Sequence, residues 1–416
     1  MHTQRRLRSL LGHRKANAHD RIHTLLTLLA QTDSKNKLGE SYYFHDIQRT
    51  HQIGGIPLTR KFTYANAGVD RALRAESKKA LEILQRTYGF SRYGSVVQLP
   101  YGNIFPFRQS CYLDLAIEGV GTKVLIAQLA QKYDTIGIDG VAMVVNDVIR
   151  SGARPLAVVD NIHSQSSEPS LVEELMKGIA EGATEAECIV PGGEIGDVAE
   201  LIKGTVEGRG FDMIVAGVGE VAEEDVISGR DIKPGDVVVG LRSSGIHSNG
   251  VSLARRILFK RWNGKYNSFD IPECLDREIV YEVLEPTRMY AKPLHKVAEE
   301  VEIKAAIHIT GDAYLKFDRL TKFSKGIGFE IRNFKPQPIF DLIQKTAYEL
   351  GGTITDEEMF KTFNMGWGFA MLVDDVDKDK AVDILQKAGT EAEEIGQATD
   401  TGGIKIVYEG RKVVLE

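Results

Sequence analysis

Cysteine is scarce: three in 416 residues, at 111, 188 and 274, an odd number with no C-x-x-C spacing. That excludes a disulfide framework and a zinc ribbon and points to a reducing compartment, so a cytoplasmic location is expected. No apolar run approaches the roughly 18 residues of a membrane span, and no action at a membrane is expected. The Walker A pattern G-x-x-x-x-G-K-[ST] is missing throughout, which excludes an ordinary P-loop. An overall excess of positive charge is missing too: 52 Lys and Arg stand against 58 Asp and Glu, a net charge of −6. Basic character is confined to residues 1–50, with nine Lys/Arg against four Asp/Glu, and six of the ten histidines fall within the first 51 residues. Nothing later continues that trend, so nucleic-acid binding is not expected as the main activity. Residues 1–60 can be read as a tail touching anionic surfaces, as a targeting peptide, or as a poorly ordered extension outside the chemistry. The last is the expectation here, because 22–30 (IHTLLTLLA) makes one short helix with no partner to pack on.

What remains is a globular composition, 43% hydrophobic and 26% charged, on a chain long enough for two or three domains. Glycine is abundant at 41 residues, as many tight strand–helix turns require. Periodicity predicts helices at 76–85, 123–132, 138–149 and 171–186, and strands at 111–117, 157–162, 187–191 and 211–221. A charged, turn-rich stretch (EEDVISGRDIKPGD) follows, leading into a strand at 237–241 and a helix at 251–259. Domains are expected at 61–222 and 223–416, and strands alternating with helices place the fold in the α/β (α+β) class.

Chemistry-bearing residues gather at a few turns. The run 113–124, LDLAIEGVGTKV, is an alternating strand ending in Glu118 and opening into Gly119-Val120-Gly121-Thr122-Lys123. One carboxylate, close-approach backbone amides, a hydroxyl and an ammonium suit a metal-bridged polyphosphate; a generic glycine turn is the alternative. Asn146-Asp147 sits in an otherwise apolar helical run, where a carboxylate needs a magnesium ion, a cap or a salt bridge as partner. Glu194, after Gly192-Gly193, is either a ligand beyond a strand's carboxyl end or part of a surface turn. Glu118, Asp147 and Glu194 form a candidate set for magnesium, whose sites on triphosphates use few protein oxygens. The run 241–250, LRSSGIHSNG, is a donor-rich loop before a helix. There Ser248 or Asn249 can cap the helix, and His247 can clamp an anion, act as acid or base, or hold structure. HITGD at 308–312 and FNMGWG at 363–368 are further turns that a hinge or simple packing explains equally well.

In order along the chain, YANAGVDR (64–71), EGVGTK (118–123), DTIGIDGVAMVVNDVIRSGARPL (134–156), PGGE (191–194), GLRSSGIHSNGVSLARRIL (240–258), EPTRMY (285–290), HITG (308–311) and EMFKTFNMGWGF (358–369) resemble the aminoimidazole ribonucleotide synthetase family. The likeness spans roughly residues 61 to 416. It implies a homodimer of two-domain chains whose N-terminal mixed sheets close a barrel across the dimer, followed by a C-terminal α/β domain. It implies ATP and Mg2+ as cofactors and formylglycinamidine ribonucleotide as substrate. ATP would phosphorylate the formyl oxygen, and ring closure would expel phosphate. By resemblance, Gly119, Val120, Gly121, Thr122 and Lys123 bind nucleotide, and Glu118, Asp147 and Glu194 hold metal. Ser243, Ser244, Gly245, Ser248, Asn249, Thr310 and Gly311 bind substrate, while His247, Lys123 and Asp147 are catalytic.

Two departures stand out: Glu118 replaces the family's usual Asp, and Asp312-Ala313 replaces Gly-Gly after Thr310-Gly311, setting a carboxylate where glycines would approach a phosphate. A superfamily kinase for another small phosphate ester, or a non-catalytic nucleotide-binding paralogue, are the competing expectations.

Overall fold

The N-terminal sheet is built from β1 (Val97–Gln98), β2 (Asn103–Arg108), β3 (Cys111–Gly119), β4 (Arg154–Ser164), β5 (Gly193–Asp197) and β6 (Phe211–Ala222), in the order β1-β2-β3-β6-β4-β5. Every pair is antiparallel except β4 with the edge strand β5. This is a computed structural model, described for residues 60–415 and for the paired strands Gln52–Ile53 and Ile56–Pro57; the helix expected at 22–30 lies outside the described residues. The described residues from Arg60 onward belong to one compact unit.

Strand β6 alternates buried and half-buried residues along its whole length, as a sheet covered on one face requires. Its buried side packs against α3 (Asp134–Val148), which in turn packs on α4 (Pro169–Ala186); both follow α1 (Arg71–Lys78) and α2 (Val124–Ala130). The α3–α4 approach is close enough that a Cβ on Gly178 would collide with the Asp134 carbonyl and the Gly137 backbone. The opposite face of the sheet stays apolar yet uncovered, with Leu115 58% and Ile117 68% exposed and Val159 exposed on the same face.

The C-terminal sheet holds β7 (Val237–Arg242), β8 (Ala305–His308), β9 (Gly328–Ile331), β10 (Trp367–Val373), β11 (Ala392–Thr399), β12 (Gly403–Tyr408) and β13 (Arg411–Leu415), ordered β8-β10-β7-β11-β9-β12-β13. Only β9–β12 is parallel. Strand β10, WGFAMLV, is buried throughout, and its continuous apolar run is what a two-sided core strand needs. Helices α5 (Val251–Leu258) and α6 (Asp356–Thr362) flank this sheet's contribution to the site.

One expectation shifts. No named strand forms at 187–191, where Ile189 makes only an isolated bridge to Ala157; the edge strand begins at Gly193 instead. Pro191 has no N–H to donate to a ladder, which delays pairing past it. Residues 61–71, expected with the N-terminal domain, make contacts to the C-terminal half, as does Arg60 before them. Arg60–Lys61 pairs with Gly352–Thr353, and the Tyr64 N–H donates to Glu358 Oε1 at 2.8 Å. Arg71 also donates to Glu358 Oε1 at 3.1 Å and to Thr362 Oγ1 at 2.6 Å.

Candidate active site

A cavity of about 510 Å3 opens between the two sheets' loops. The end of β3 supplies Glu118 and Gly119, the following turn Gly121 and Thr122, and the last turn of α3 Asp147. Ser248, Asn249, Thr310, Gly311 and Asp312 close it from the C-terminal half. A chamber of about 210 Å3 adjoins it and shares Tyr101, Glu118, Asp147 and Arg150.

One wall is acidic. Asp147 Oδ1 accepts from His308 Nδ1 at 2.8 Å, and Oδ2 pairs with Arg150 Nη2 at 2.8 Å. Burial alone would raise the Asp147 pKa, but Arg150 and the His308 hydrogen bond outweigh it and hold the carboxyl well below its usual range. Burial and then the Asp147 charge push Glu118 up to about 7. Burial brings His308 down to about 4, so its neutral ring donates through Nδ1–H. Two carboxylates thus face each other with one of them partly protonated, a repulsion that a divalent cation relieves.

Cations line the same cavity. Arg74 and Lys78 reach the cavity from α1, Arg150 from the turn after α3, and Lys316 and Arg319 from the segment after the 310–312 turn. Burial lowers Lys316 to about 8 while its ammonium donates to the His308 carbonyl at 3.0 Å and Thr310 Oγ1 at 2.6 Å. Burial and the Arg319 charge lower Lys78. Like charges crowded in one cavity are stabilised by an anion, and a polyphosphate bridged to a cation meets both sets of charges at once.

Residues 103–222 match the AIR synthase related protein N-terminal domain, and residues 233–409 match the corresponding C-terminal domain. The phosphoribosylformylglycinamidine cyclo-ligase of Methanocaldococcus jannaschii is 38% identical over 369 residues, covering 85% of this chain and 99% of that protein. The chain belongs to the AIR synthase family. The Staphylococcus carnosus cyclo-ligase is 35% identical over 360 residues, 84% of this chain and 99% of its own length. By fold the chain is similar to E. coli HypE, a hydrogenase maturation protein, with a TM-score of 0.51 at 15% identity over 73% of this chain and 85% of that one.

Within this AIR synthase site the sequence candidates divide. Glu118, Gly119, Gly121, Thr122, Asp147, Ser248, Asn249, Thr310 and Gly311 line the cavity. Gly121 turns the chain at a φ of +61°, which suits glycine, and Thr122 Oγ1 lies 2.9 Å from Ser252 Oγ. Asn249 Oδ1 accepts from the Gly311 N–H at 2.9 Å, tying two loops together.

Seven candidates lie elsewhere. Glu194 is exposed on the edge strand, three strand spacings from Glu118, or roughly 14 Å at the usual sheet spacing. Among the described residues no group of three acidic, His or Cys side chains could hold a metal, so the expected trio reduces within one chain to Glu118 and Asp147. Val120 is core, fully buried, and its N–H donates to the Met213 carbonyl. Lys123 is fully buried in an ion pair with Asp139 and does not line the cavity. Ser243 is buried against Asn364, its hydroxyl 3.0 Å from Oδ1, while the Gly245 carbonyl accepts from Asn364 Nδ2 at 2.8 Å.

His247, expected as a catalytic group, is also inside. Its Nε2 accepts from the Ser244 N–H at 3.1 Å, and its backbone φ is +58°. Burial holds its pKa well below the ordinary value, and the neutral ring that accepts at Nε2 carries its proton on Nδ1, which is buried with no partner among the described residues. Ser244 likewise faces inward, its hydroxyl donating to the Pro286 carbonyl at 2.5 Å. Asp312, the departure from the AIR synthase turn, stands 3.8 Å from Arg71 and 4.0 Å from Arg319, which offset its charge.

Sequence reasoning missed the cations of the cavity. Arg150 lies in a motif word already singled out, and its three-residue spacing from Asp147 was the available signal. Lys316 was marked by being a lone cation in the apolar stretch AYLKF, and Arg74 and Lys78 by an i, i+4 spacing behind the Asp70 cap.

Proposed function

We propose that the chain catalyses the ATP-dependent closure of formylglycinamidine ribonucleotide to 5-aminoimidazole ribonucleotide, the reaction for which its relatives are named. The observation that carries the reading is one cavity lined by both a repelling carboxylate pair and five cations. Glu118 and Asp147 would hold magnesium, since such sites take one or two carboxylates and complete themselves with phosphate and water. The bound cation neutralises phosphate oxygens and polarises the terminal phosphoryl group.

The chain's own residues do the remaining work. Arg150 and His308 fix the orientation of Asp147, and Lys316, Arg319, Arg74 and Lys78 draw in and align the polyphosphate. The backbone at Gly119 and Gly121 admits phosphate oxygens close to the main chain. The formyl oxygen of the substrate then attacks the γ-phosphorus, forming an O–P bond as the bond to ADP breaks. The ring nitrogen-to-be attacks the activated carbon, phosphate leaves with the C–O bond pair, and the nitrogen gives up its proton. The second step is intramolecular, so a pocket that fixes the substrate's fold supplies much of its rate.

A homodimer belongs to this reading, because the uncovered apolar face of the N-terminal sheet needs a partner and a second copy offers the same face. The protein is taken to act in the cytoplasm, as its three unpaired cysteines suit. The test is direct: with Mg-ATP and formylglycinamidine ribonucleotide, purified protein should release ADP, phosphate and an aminoimidazole detectable by diazo coupling. ATP binding without turnover would sink the reading in favour of a non-catalytic paralogue, and ADP release coupled to phosphorylation of another ester would favour a kinase.

A further inference from the structure

Lys123 closes the glycine turn that lines the cavity, yet its ammonium points the other way. Nζ lies 2.9 Å from Asp139 Oδ1 and 2.8 Å from Oδ2, with both side chains fully buried, and it donates to the Glu285 carbonyl at 2.7 Å. Asp139 Oδ1 also accepts from the Thr287 N–H at 2.8 Å and the Thr287 hydroxyl at 2.7 Å. Two turns further along α3, Asn146 repeats the device: Nδ2 donates to the Arg288 carbonyl, and Oδ1 accepts from the Tyr290 N–H, both at 2.9 Å. The segment 285–290 comes from the C-terminal half, whereas Lys123, Asp139 and Asn146 come from the N-terminal half. The same segment carries the loop that lines the far side of the cavity, through Ser244 on the Pro286 carbonyl and Ser248 beside Thr287 Oγ1 at 3.2 Å.

We propose that Lys123 is a positioning residue: paired with Asp139, it latches segment 285–290 against the glycine turn and so sets the spacing across the cavity, without touching the nucleotide. This rests on reading the cavity as the Mg-ATP site. Its physical basis is the asymmetry of a buried pair. Removing the lysine alone strands a buried carboxylate, which is strongly unfavourable, whereas neutralising both partners is tolerated far better. Asparagine at 139 still accepts both Thr287 hydrogen bonds.

The test compares wild type, Lys123→Met, and Lys123→Met with Asp139→Asn, assayed below the lowest melting temperature, with calorimetric titration of Mg-ATP alongside. The latch predicts that the single variant loses kcat by tenfold or more while its ATP KM and Kd stay within about threefold, less than the tenfold that about 1.4 kcal/mol of lost contact produces. The double variant should recover most of the lost kcat. A Kd for Mg-ATP weakened tenfold or more in both variants would make Lys123 a phosphate ligand and overturn the proposal. Wild-type kcat in a fully folded single variant would overturn it as well, leaving only a stabilising pair. If the single variant does not fold, the double decides by its Kd on the same criterion. If wild type binds Mg-ATP but forms no aminoimidazole, the functional reading fails while the Kd comparison still tests the latch.

Discussion

At the scale of single residues, Glu118 carries the clearest electrostatic signature. Its carboxyl is pushed up to about 7 by burial and by the neighbouring Asp147 charge. The folded protein therefore holds this proton more tightly than the unfolded chain does. The associated stability is fully present below the ordinary carboxylate range and is lost as pH rises through about 7. Without magnesium, Glu118 should pull the melting temperature down as pH rises toward about 8. Buried histidines common to both proteins pull the opposite way below about 6.5, so Glu118→Gln should gain on wild type over the upper part of that range. Asp114, raised by burial to about 6, pulls downward over the lower part in both proteins. Magnesium binding needs the ionised carboxylate, so the rise in melting temperature on adding Mg-ATP should grow with pH in wild type and lose that growth in the variant. A scan by differential calorimetry reads both; identical pH slopes in the two proteins would remove Glu118 from the acidic wall.

At the scale of elements, α3 positions the site because one of its faces rests on β6 and another on α4. The α3–α4 contact depends on Gly178, where a methyl group would meet the Asp134 carbonyl and the Gly137 backbone. Alanine gains about 1 kcal/mol of helix propensity over glycine, but overpacking against backbone that cannot swing away costs about 1–3 kcal/mol. The collision should win, because two helices must part to relieve it. Gly178→Ala is expected to lower unfolding stability by about 1–2 kcal/mol in urea, while Gly192→Ala, with nothing within 4 Å, leaves it unchanged. Equal midpoints for both variants would contradict the packing described. The same element shows how much was legible beforehand. The apolar period of 138–149 announced the helix, and Asp147 stood out in it because a carboxylate there must find a partner. Which partner it finds was not legible, since His308 lies 161 positions away and comes alongside only through the C-terminal fold. Glu118 and Glu194 carry equally suggestive neighbours in sequence. Only strand order, with β6 and β4 inserted between β3 and β5, separates them. Lys123 and His247 do not line the cavity for a related reason: a loop's composition reports which groups are present, whereas backbone direction decides which of them face it.

At the scale of the whole molecule, the uncovered face of the N-terminal sheet is where the proposed homodimer would form. Leu115 and Ile117 on β3 and Val159 on β4 are exposed, with Ile214 and Val218 of β6 half-buried between them. A contiguous apolar surface crossing three strands is unfavourable in water, and a twofold pair of such faces buries both copies with one contact. A stable interface of this kind removes roughly 800 Å2 from each partner, about the footprint of a sheet face. Val159 sits near the middle of that face while its backbone is fixed by β6, so a charge there burdens association more than folding. Val159→Asp should therefore convert a dimer into a monomer in light scattering, with an unchanged far-UV spectrum, because a carboxylate desolvated at an apolar contact has no partner to offset the loss of water. The effect should weaken as pH falls toward the carboxylate's own pKa, where protonation removes the charge and partly restores association. A wild-type monomer at all concentrations, or a variant that remains dimeric at neutral pH, would place the subunit contact on some other surface.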